Sequence, residues 1–175
     1  EREGPGFRQR AALKLSALGI GGAAAVARFH AERQFLARFE HPNIAHVIDG
    51  GNTADGRPYV AMEYVDGEPI DRWCANRSLT LRERVQVFLQ VIAAVEAAHR
   101  ALILHRDIKP ANVMVTAEGQ AKLLDFGIAK SLAEETGLTG TGFAPLTQQF
   151  ASPEQLAGEP LTTASDVFAL GLLLH

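Results

Sequence analysis

Among 175 residues there is one cysteine, one tryptophan and two methionines. The lone Cys74 excludes an internal disulfide and fits a reducing compartment; it reads as a half-buried small hydrophobe. Neither sign of charge is in excess. Seventeen Lys and Arg stand against 20 Asp and Glu, for a net charge of −3, and the basic residues are scattered, which argues against a nucleic-acid surface. Long apolar runs are missing too. The best stretch, residues 85–104, is interrupted by Gln86, Gln90, Glu96, His99 and Arg100, whereas a membrane span needs about 18 uninterrupted apolar residues. There is no internal repeat, low-complexity tract, initiating methionine or signal peptide. What is present is an ordinary globular composition, 47% hydrophobic and 21% charged, in a chain long enough for one domain with a sizeable core. The polar start Glu1–Glu3 and the apolar finish at Leu172, Leu173 and Leu174 read as a fragment of something longer.

Patterning gives a mixed succession of elements. Residues 10–16 read as a strand after Gly4-Pro5-Gly6, and residues 23–39 as a helix with Val26, Phe29, Leu36 and Phe39 near helical spacing. His41-Pro42-Asn43 ends that helix, because the residue before proline avoids the helical region. Strands near 44–50 and 58–64 are joined by the turn Thr53-Ala54-Asp55-Gly56. The clearest helix is 80–100. Thr80 and Glu83 form a capping box, and Val85, Phe88, Leu89, Ile92 and Val95 trace an apolar stripe. Strands around 112–116 and 120–124 turn at Glu118-Gly119; residues 128–151 read as a long loop, and a last helix begins near Thr162.

The chemistry is concentrated in His105-Arg106-Asp107-Ile108-Lys109-Pro110-Ala111-Asn112 and in Asp125-Phe126-Gly127. These resemble the catalytic loop and magnesium-binding turn of protein kinases, matching H-R-D-x-x-x-x-N and D-F-G letter for letter. Phosphoryl transfer asks for positioning and charge neutralisation. A carboxylate to orient an attacking hydroxyl, and a second carboxylate with an amide oxygen to hold metal ions, are what Asp107, Asp125 and Asn112 supply.

On these residues the chain resembles the protein kinase family, in its bacterial eukaryotic-like serine/threonine branch. The resemblance implies an α+β, bilobal fold with a β-rich N-lobe carrying one helix and a mainly helical C-lobe, truncated at both ends. It places the partial N-lobe at 1–65 and the partial C-lobe at 66–175. By the same resemblance Asp107, Lys109 and Asn112 are catalytic, and Asn112 and Asp125 hold Mg2+, with Mn2+ able to substitute. Lys14, in Ala11-Ala12-Leu13-Lys14, would hold the ATP phosphates and pair with Glu32. Glu32 lies on the apolar face of its helix, where an unpaired carboxylate is costly. Ala12 and Met114 would form the roof and floor of the adenine pocket. Met62 would stand beside the base, and the Glu63 carbonyl and Val65 N–H would bond its edge. Ser152-Pro153-Glu154 resembles the close of the activation segment. Arg106, Thr139, Thr141, Thr147 and Glu154 belong to that segment, with Thr139 or Thr141 the expected phosphorylation site and Thr147 bonding the catalytic Asp and Lys. Asp166 would hold the backbone of the catalytic loop, and Leu36, Val47, His105 and Phe126 would form a structural hydrophobic column.

The pattern fails at both ends. No glycine-rich loop precedes Lys14, since position 9 is Gln where a third glycine is required. The sequence also stops within an apolar helix, before the later helices and the arginine that the resemblance would pair with Glu154. The implied activity is transfer of the ATP γ-phosphate to Ser or Thr hydroxyls of protein substrates in bacterial signalling. A cytoplasmic location is expected, tethered to the membrane, if at all, by a segment outside this chain. No nucleic-acid or membrane contact is expected from this segment; a second copy, through homodimerisation for autophosphorylation, remains open. Two alternatives stay beside this reading: an ATP-binding scaffold of pseudokinase type, and a small-molecule kinase of similar fold. The fragment itself is expected to be poorly active.

Overall fold

The Thr53–Gly56 turn closes as its composition suggests: the Thr53 N–H donates to the Arg57 carbonyl at 2.8 Å, and Gly56 takes φ of +82°, where glycine meets no Cβ penalty. The computed structural model describes residues 2–4, 7–15, 39–126 and 149–175. The turn joins β4 (Val47–Asn52) to β5 (Pro58–Glu63), and β3 (Ala11–Leu15) pairs with the other edge of β5, giving the antiparallel order β3-β5-β4. Ala12 stands opposite Met62 and Lys14 opposite Val60. Directly opposed residues share a face, so these four line one side of the sheet. Along β5 burial alternates, with Pro58, Val60 and Met62 buried, as a period of two requires. A bulge at Ile48 shifts the β4 register between Val47 and Asp49. Before this sheet, β1 (Arg2–Gly4) and β2 (Phe7–Gln9) pair as a separate two-stranded ribbon.

A second three-stranded sheet has the order β6-β7-β8, built from Gly67–Pro69, Val113–Thr116 and Ala121–Leu123. A Cβ at Gly67 would lie 2.4 Å from the Val115 carbonyl oxygen, so only glycine allows β6 to approach β7. Four α-helices are described: α1 (Ile70–Asn76), α2 (Leu81–Arg100), α3 (Pro153–Ala157) and α4 (Thr163–Leu174). The Thr80–Glu83 capping box is formed. None of the described helices is long and apolar enough to cross a membrane.

The apolar stripe of α2 differs from the expected one. Its buried face is Val87, Phe88, Val91, Ala94, Val95 and Ala98, while Leu89 is 54% exposed and Val85 and Ile92 are exposed as well. The helix carries apolar residues on more than one face, and the face holding Ala94 and Ala98 is the one that admits close neighbours. There α2 packs against β8 and α4. Elements of three to seven residues (β1, β2, β6, α1 and α3) were not expected, because such short segments cannot display a period.

The described residues fall into two compact units: one drawn from Glu1–Glu40 and Ala45–Tyr64, the other from His41–Ile44 and Val65–His175. The short segment His41–Ile44 joins the second unit by specific bonds. The Leu123 N–H donates to the Asn43 carbonyl at 2.8 Å. Asn43 Nδ2 donates to the Gln90 side chain and to the Ala121 carbonyl, at 3.0 and 2.9 Å. Gln90 in turn accepts from the Ala121 N–H at 3.0 Å.

Candidate active site

The site grows out of the segment between α2 and β7. The Ala101 and Leu102 N–H groups end α2 by donating back to its last carbonyls, and Leu102 takes φ of +60°. The chain then enters residues 103–112, where Ile103, His105, Ile108 and Asn112 are all buried. This loop has few ladder bonds, so its polar groups are satisfied by side chains instead.

Asp166, in the first turn of α4 and 2% exposed, supplies much of that satisfaction. Its Oδ2 accepts from the His105 N–H and from His99 Nε2–H, both at 2.8 Å, and its Oδ1 accepts from the Arg106 N–H at 2.9 Å. A buried carboxylate is tolerated when hydrogen bonds replace its water. Arg106 needs the support, because its φ is +66°, a left-handed conformation that costs a non-glycine residue about 1 kcal/mol or more. Its carbonyl is also held, by Gln155 Nε2 at 3.0 Å.

Asp107 follows at once. Its Oδ2 accepts from Asn112 Nδ2 at 2.9 Å and faces Lys109 Nζ at 2.9 Å, and its backbone carbonyl accepts from the same Asn112 Nδ2 at 2.7 Å. Both hydrogens of the Asn112 amide therefore go to Asp107, which leaves the amide oxygen as the acceptor of that side chain. The Leu124 N–H donates to the Asn112 carbonyl at 2.8 Å and ties the loop to the residue before Asp125. Asp125 has φ of +55°, and the Phe126 ring lies tilted against His105 with centroids 4.8 Å apart.

His105 is fully buried and joins these pieces. Its Nε2–H donates to the Leu124 carbonyl at 2.8 Å, and its Nδ1 accepts from the Asp107 N–H at 3.3 Å. Only the neutral imidazole with the proton on Nε2 satisfies both bonds. Burial pushes the His105 pKa below 6.5, against the opposing pull of the Leu124 carbonyl and of Asp166, Asp107 and Asp125. Above pH 6.5 the folded and unfolded states both hold neutral imidazole. Below it the unfolded chain takes up a proton that the folded chain does not. Stability should therefore fall as pH drops from 6.5, at up to about 1.4 kcal/mol per pH unit, until the lowered folded pKa is passed. The carboxyl groups of Glu68, Glu83 and Glu154 are held below their ordinary 4.5 and affect stability only in more acid solution. Denaturant unfolding between pH 7.5 and 5 should show this slope in the wild type and flatten it in His105→Phe. Parallel profiles would contradict the assignment.

Glu154 sits in α3, capped by Ser152, whose hydroxyl accepts from the Gln155 N–H at 3.3 Å. The Ser165 hydroxyl donates to Glu154 Oε1 at 2.5 Å and is the main reason the Glu154 carboxyl is held low. Among the residues singled out from the sequence, His105, Arg106, Asp107, Lys109, Asn112, Asp125, Phe126, Glu154 and Asp166 come together in the second unit. Met114 lies in the same unit on β7, opposite Lys122, and Val65 lies near its start. Ala12, Lys14, Met62 and Glu63 belong to the first unit. There the Glu63 N–H donates to the His46 carbonyl at 2.8 Å, and its carboxylate accepts from the His46 N–H at 3.2 Å. Glu32, Leu36, Thr139, Thr141 and Thr147 lie outside the described residues. Gln155, Ser165 and the bond from His99 were not found from sequence. Each joins residues 11 to 67 positions apart, and no local pattern marks such a partner.

The sequence profile described as protein kinase domain matches residues 9–175. A Streptomyces coelicolor protein named as a probable serine/threonine-protein kinase is 42% identical over 155 residues, covering 85% of this chain and 23% of its own. Serine/threonine-protein kinase PknB of Mycobacterium leprae is 37% identical over 152 residues, 85% of this chain and 24% of its own. For serine/threonine-protein kinase PknA of Mycobacterium tuberculosis the figures are 39% over 153 residues, 85% and 35%. The chain thus spans between 23% and 35% of the length of these curated relatives.

Proposed function

Because the chain belongs to the protein kinase family, we propose that it is the core of a serine/threonine protein kinase that moves the ATP γ-phosphate to protein hydroxyls. The observation that carries this reading is the Asp107 carboxylate, held at Oδ2 by both Asn112 and Lys109 at 2.9 Å. A carboxylate fixed by two donors can orient a substrate hydroxyl and accept its proton as the oxygen attacks. Lys109, beside it, offsets the charge that gathers there and is the residue type that goes with Ser and Thr acceptors. Asp125 and the Asn112 amide oxygen would hold Mg2+. No three His, Cys, Asp or Glu side chains among the described residues gather as metal ligands. A magnesium ion fits nonetheless, since it binds through one or two carboxylates together with water and phosphate oxygens. Bound there, it neutralises phosphate charge.

Lys14, paired with Glu32, is assigned to the phosphates, and Ala12, Met62, Glu63, Val65 and Met114 to the adenine. Backbone strain at Asp125 is supporting detail, as left-handed non-glycine residues cluster at functional sites. Thr147 and Glu154 complete the substrate-facing segment, and Thr139 or Thr141 is the proposed phosphorylation switch. A phosphate there adds about −1.5 to −2 of charge and three acceptor oxygens, enough to order a segment. A domain that consumes ATP works in the reducing cell interior that a lone cysteine suits.

Incubating the full-length protein with Mg-ATP and a general protein acceptor should give phosphoserine and phosphothreonine but no phosphotyrosine. Mass spectrometry of the same sample should find phosphate on Thr139 or Thr141. Transfer only to small metabolites, or ATP binding without turnover, would replace this reading with a small-molecule kinase or a binding scaffold.

A further inference from the structure

Gln155 follows Glu154 in α3, and its neighbours in sequence give no reason for an amide at that position. Its side chain does not face solvent alone. Nε2 donates to the carbonyl of Arg106 at 3.0 Å, across 49 residues of chain. Gln155 lines a recess with Arg106, Asp107, Ser165 and Asp166. The backbone of Gln155 is fixed independently, since its N–H donates to the Ser152 hydroxyl at 3.3 Å and Ser152 is 1% exposed. The amide therefore projects from an anchored turn.

The Arg106 carbonyl is a consequential group to hold. Arg106 is left-handed, with φ of +66°, and the peptide that begins at this carbonyl ends at the nitrogen of Asp107. Asp166 holds the N–H on the preceding side at 2.9 Å. The Asp107 N–H of the same peptide is held by the long 3.3 Å bond to His105 Nδ1, so loss of the donor at the carbonyl would loosen the Arg106–Asp107 peptide toward the commoner right-handed region. Its rotation would swing the Asp107 carboxylate relative to Lys109 and Asn112. We infer that Gln155 is a positioning residue: its amide clamps the Arg106 carbonyl and thereby sets the direction of Asp107. The inference rests on the reading of Asp107 as the group that orients the substrate hydroxyl. It adds a link from the close of the activation segment to the reacting carboxylate that runs through one amide hydrogen.

Chemistry separates this role from plain packing. A leucine at 155 fills the space but donates nothing. A glutamate keeps the shape, but its ionised form presents only acceptors to a carbonyl oxygen, while its protonated form can donate again. Asp107 and Asp166 line the same recess and favour the protonated form of a carboxyl placed there, while the Arg106 guanidinium in that lining works against them.

The test uses the full-length kinase with Gln155→Leu, Gln155→Glu and Asp107→Asn. Steady-state transfer to a protein acceptor is measured with thermal unfolding alongside. Gln155→Leu should lower kcat by about tenfold to a hundredfold, the range expected when a reacting group is displaced by an ångström or less. KM for ATP should stay within about twofold, because the amide acts on the hydroxyl side of the reaction. Gln155→Glu should be as impaired as Gln155→Leu at about pH 8, and its rate relative to wild type at the same pH should rise as the pH is lowered and the carboxyl regains its proton. Wild-type kcat in Gln155→Leu would overturn the inference. So would a fall in kcat matched by a fall in melting temperature in both Gln155 variants, or a Gln155→Glu profile parallel to the wild type. Asp107→Asn separates the two levels. If it is dead while Gln155→Leu is normal, only the positioning role fails; if Asp107→Asn turns over normally, the reading of the loop fails with it.

Discussion

Asp107→Asn should reduce phosphoryl transfer by about a thousandfold or more while leaving ATP binding within a fewfold of wild type. The substitution is well matched to the site, because Asp107 Oδ2 faces two donors, Asn112 Nδ2 and Lys109 Nζ, each at 2.9 Å. An asparagine can turn its amide oxygen toward both and keep the loop in place. What it loses is the negative charge and the ability to accept a proton from the attacking hydroxyl. Groups in that role contribute about 10²–10⁴ in rate, and Lys109 would then sit beside a neutral side chain, its charge without the counterion it has now. Single-turnover transfer and calorimetric ATP binding on the same preparation measure the two effects separately. Turnover within tenfold of wild type would remove Asp107 from the chemistry.

For stability the largest effect should come from Asp166. Replacing it with alanine strands three donors at a residue only 2% exposed: the His105 and Arg106 N–H groups and His99 Nε2. An unsatisfied buried donor costs about 1–3 kcal/mol, and the three are near enough that their losses overlap, so a drop of about 3 kcal/mol or more is expected. Asparagine should not rescue it. If its oxygen serves His105 and His99, its NH2 meets the Arg106 N–H; turned over, the NH2 meets the other two. Equilibrium unfolding of both variants checks this, with the expectation that Asp166→Asn recovers only part of the loss. Full stability in Asp166→Asn would mean that the carboxylate is not what holds the loop. Activity should fall further than stability alone explains, because the left-handed Arg106 loses the bond on its N–H.

How far the sequence could be read depended on how local each feature is. Asp107, Lys109 and Asn112 lie within six residues, so their types and spacing announce the cluster, and the structure places the Lys109 and Asn112 side chains within hydrogen-bond distance of the Asp107 carboxylate. The long helix was readable too, since its capping box is a four-residue pattern. Which side of that helix is buried was not. Leu89 and Phe88 are adjacent and equally apolar, and only the neighbours β8 and α4 decide that Phe88 is buried and Leu89 is not. Gln155 escaped for a different reason: a side chain that serves a backbone carbonyl leaves no complementary residue in the sequence to pair it with.

The placement of His41–Ile44 has a consequence for how the chain acquires its structure. Residues 45–64 of the first unit interrupt the second, whose pieces on either side of that excursion are bonded across 78 residues at Asn43 and Ala121. In topological terms the second unit is a host and residues 45–64 are an insert. A ribosome releases His41–Asn43 well before β7 and β8 exist to receive it, so this corner of the second unit cannot close until the insert has been made and the hairpin after it has followed. Contacts of such separation are slow to form, because closing the intervening loop is entropically unfavourable before any bond repays it. Closure of this corner is therefore expected late in folding, after the residues that carry Gln90 and Ala121 have been made.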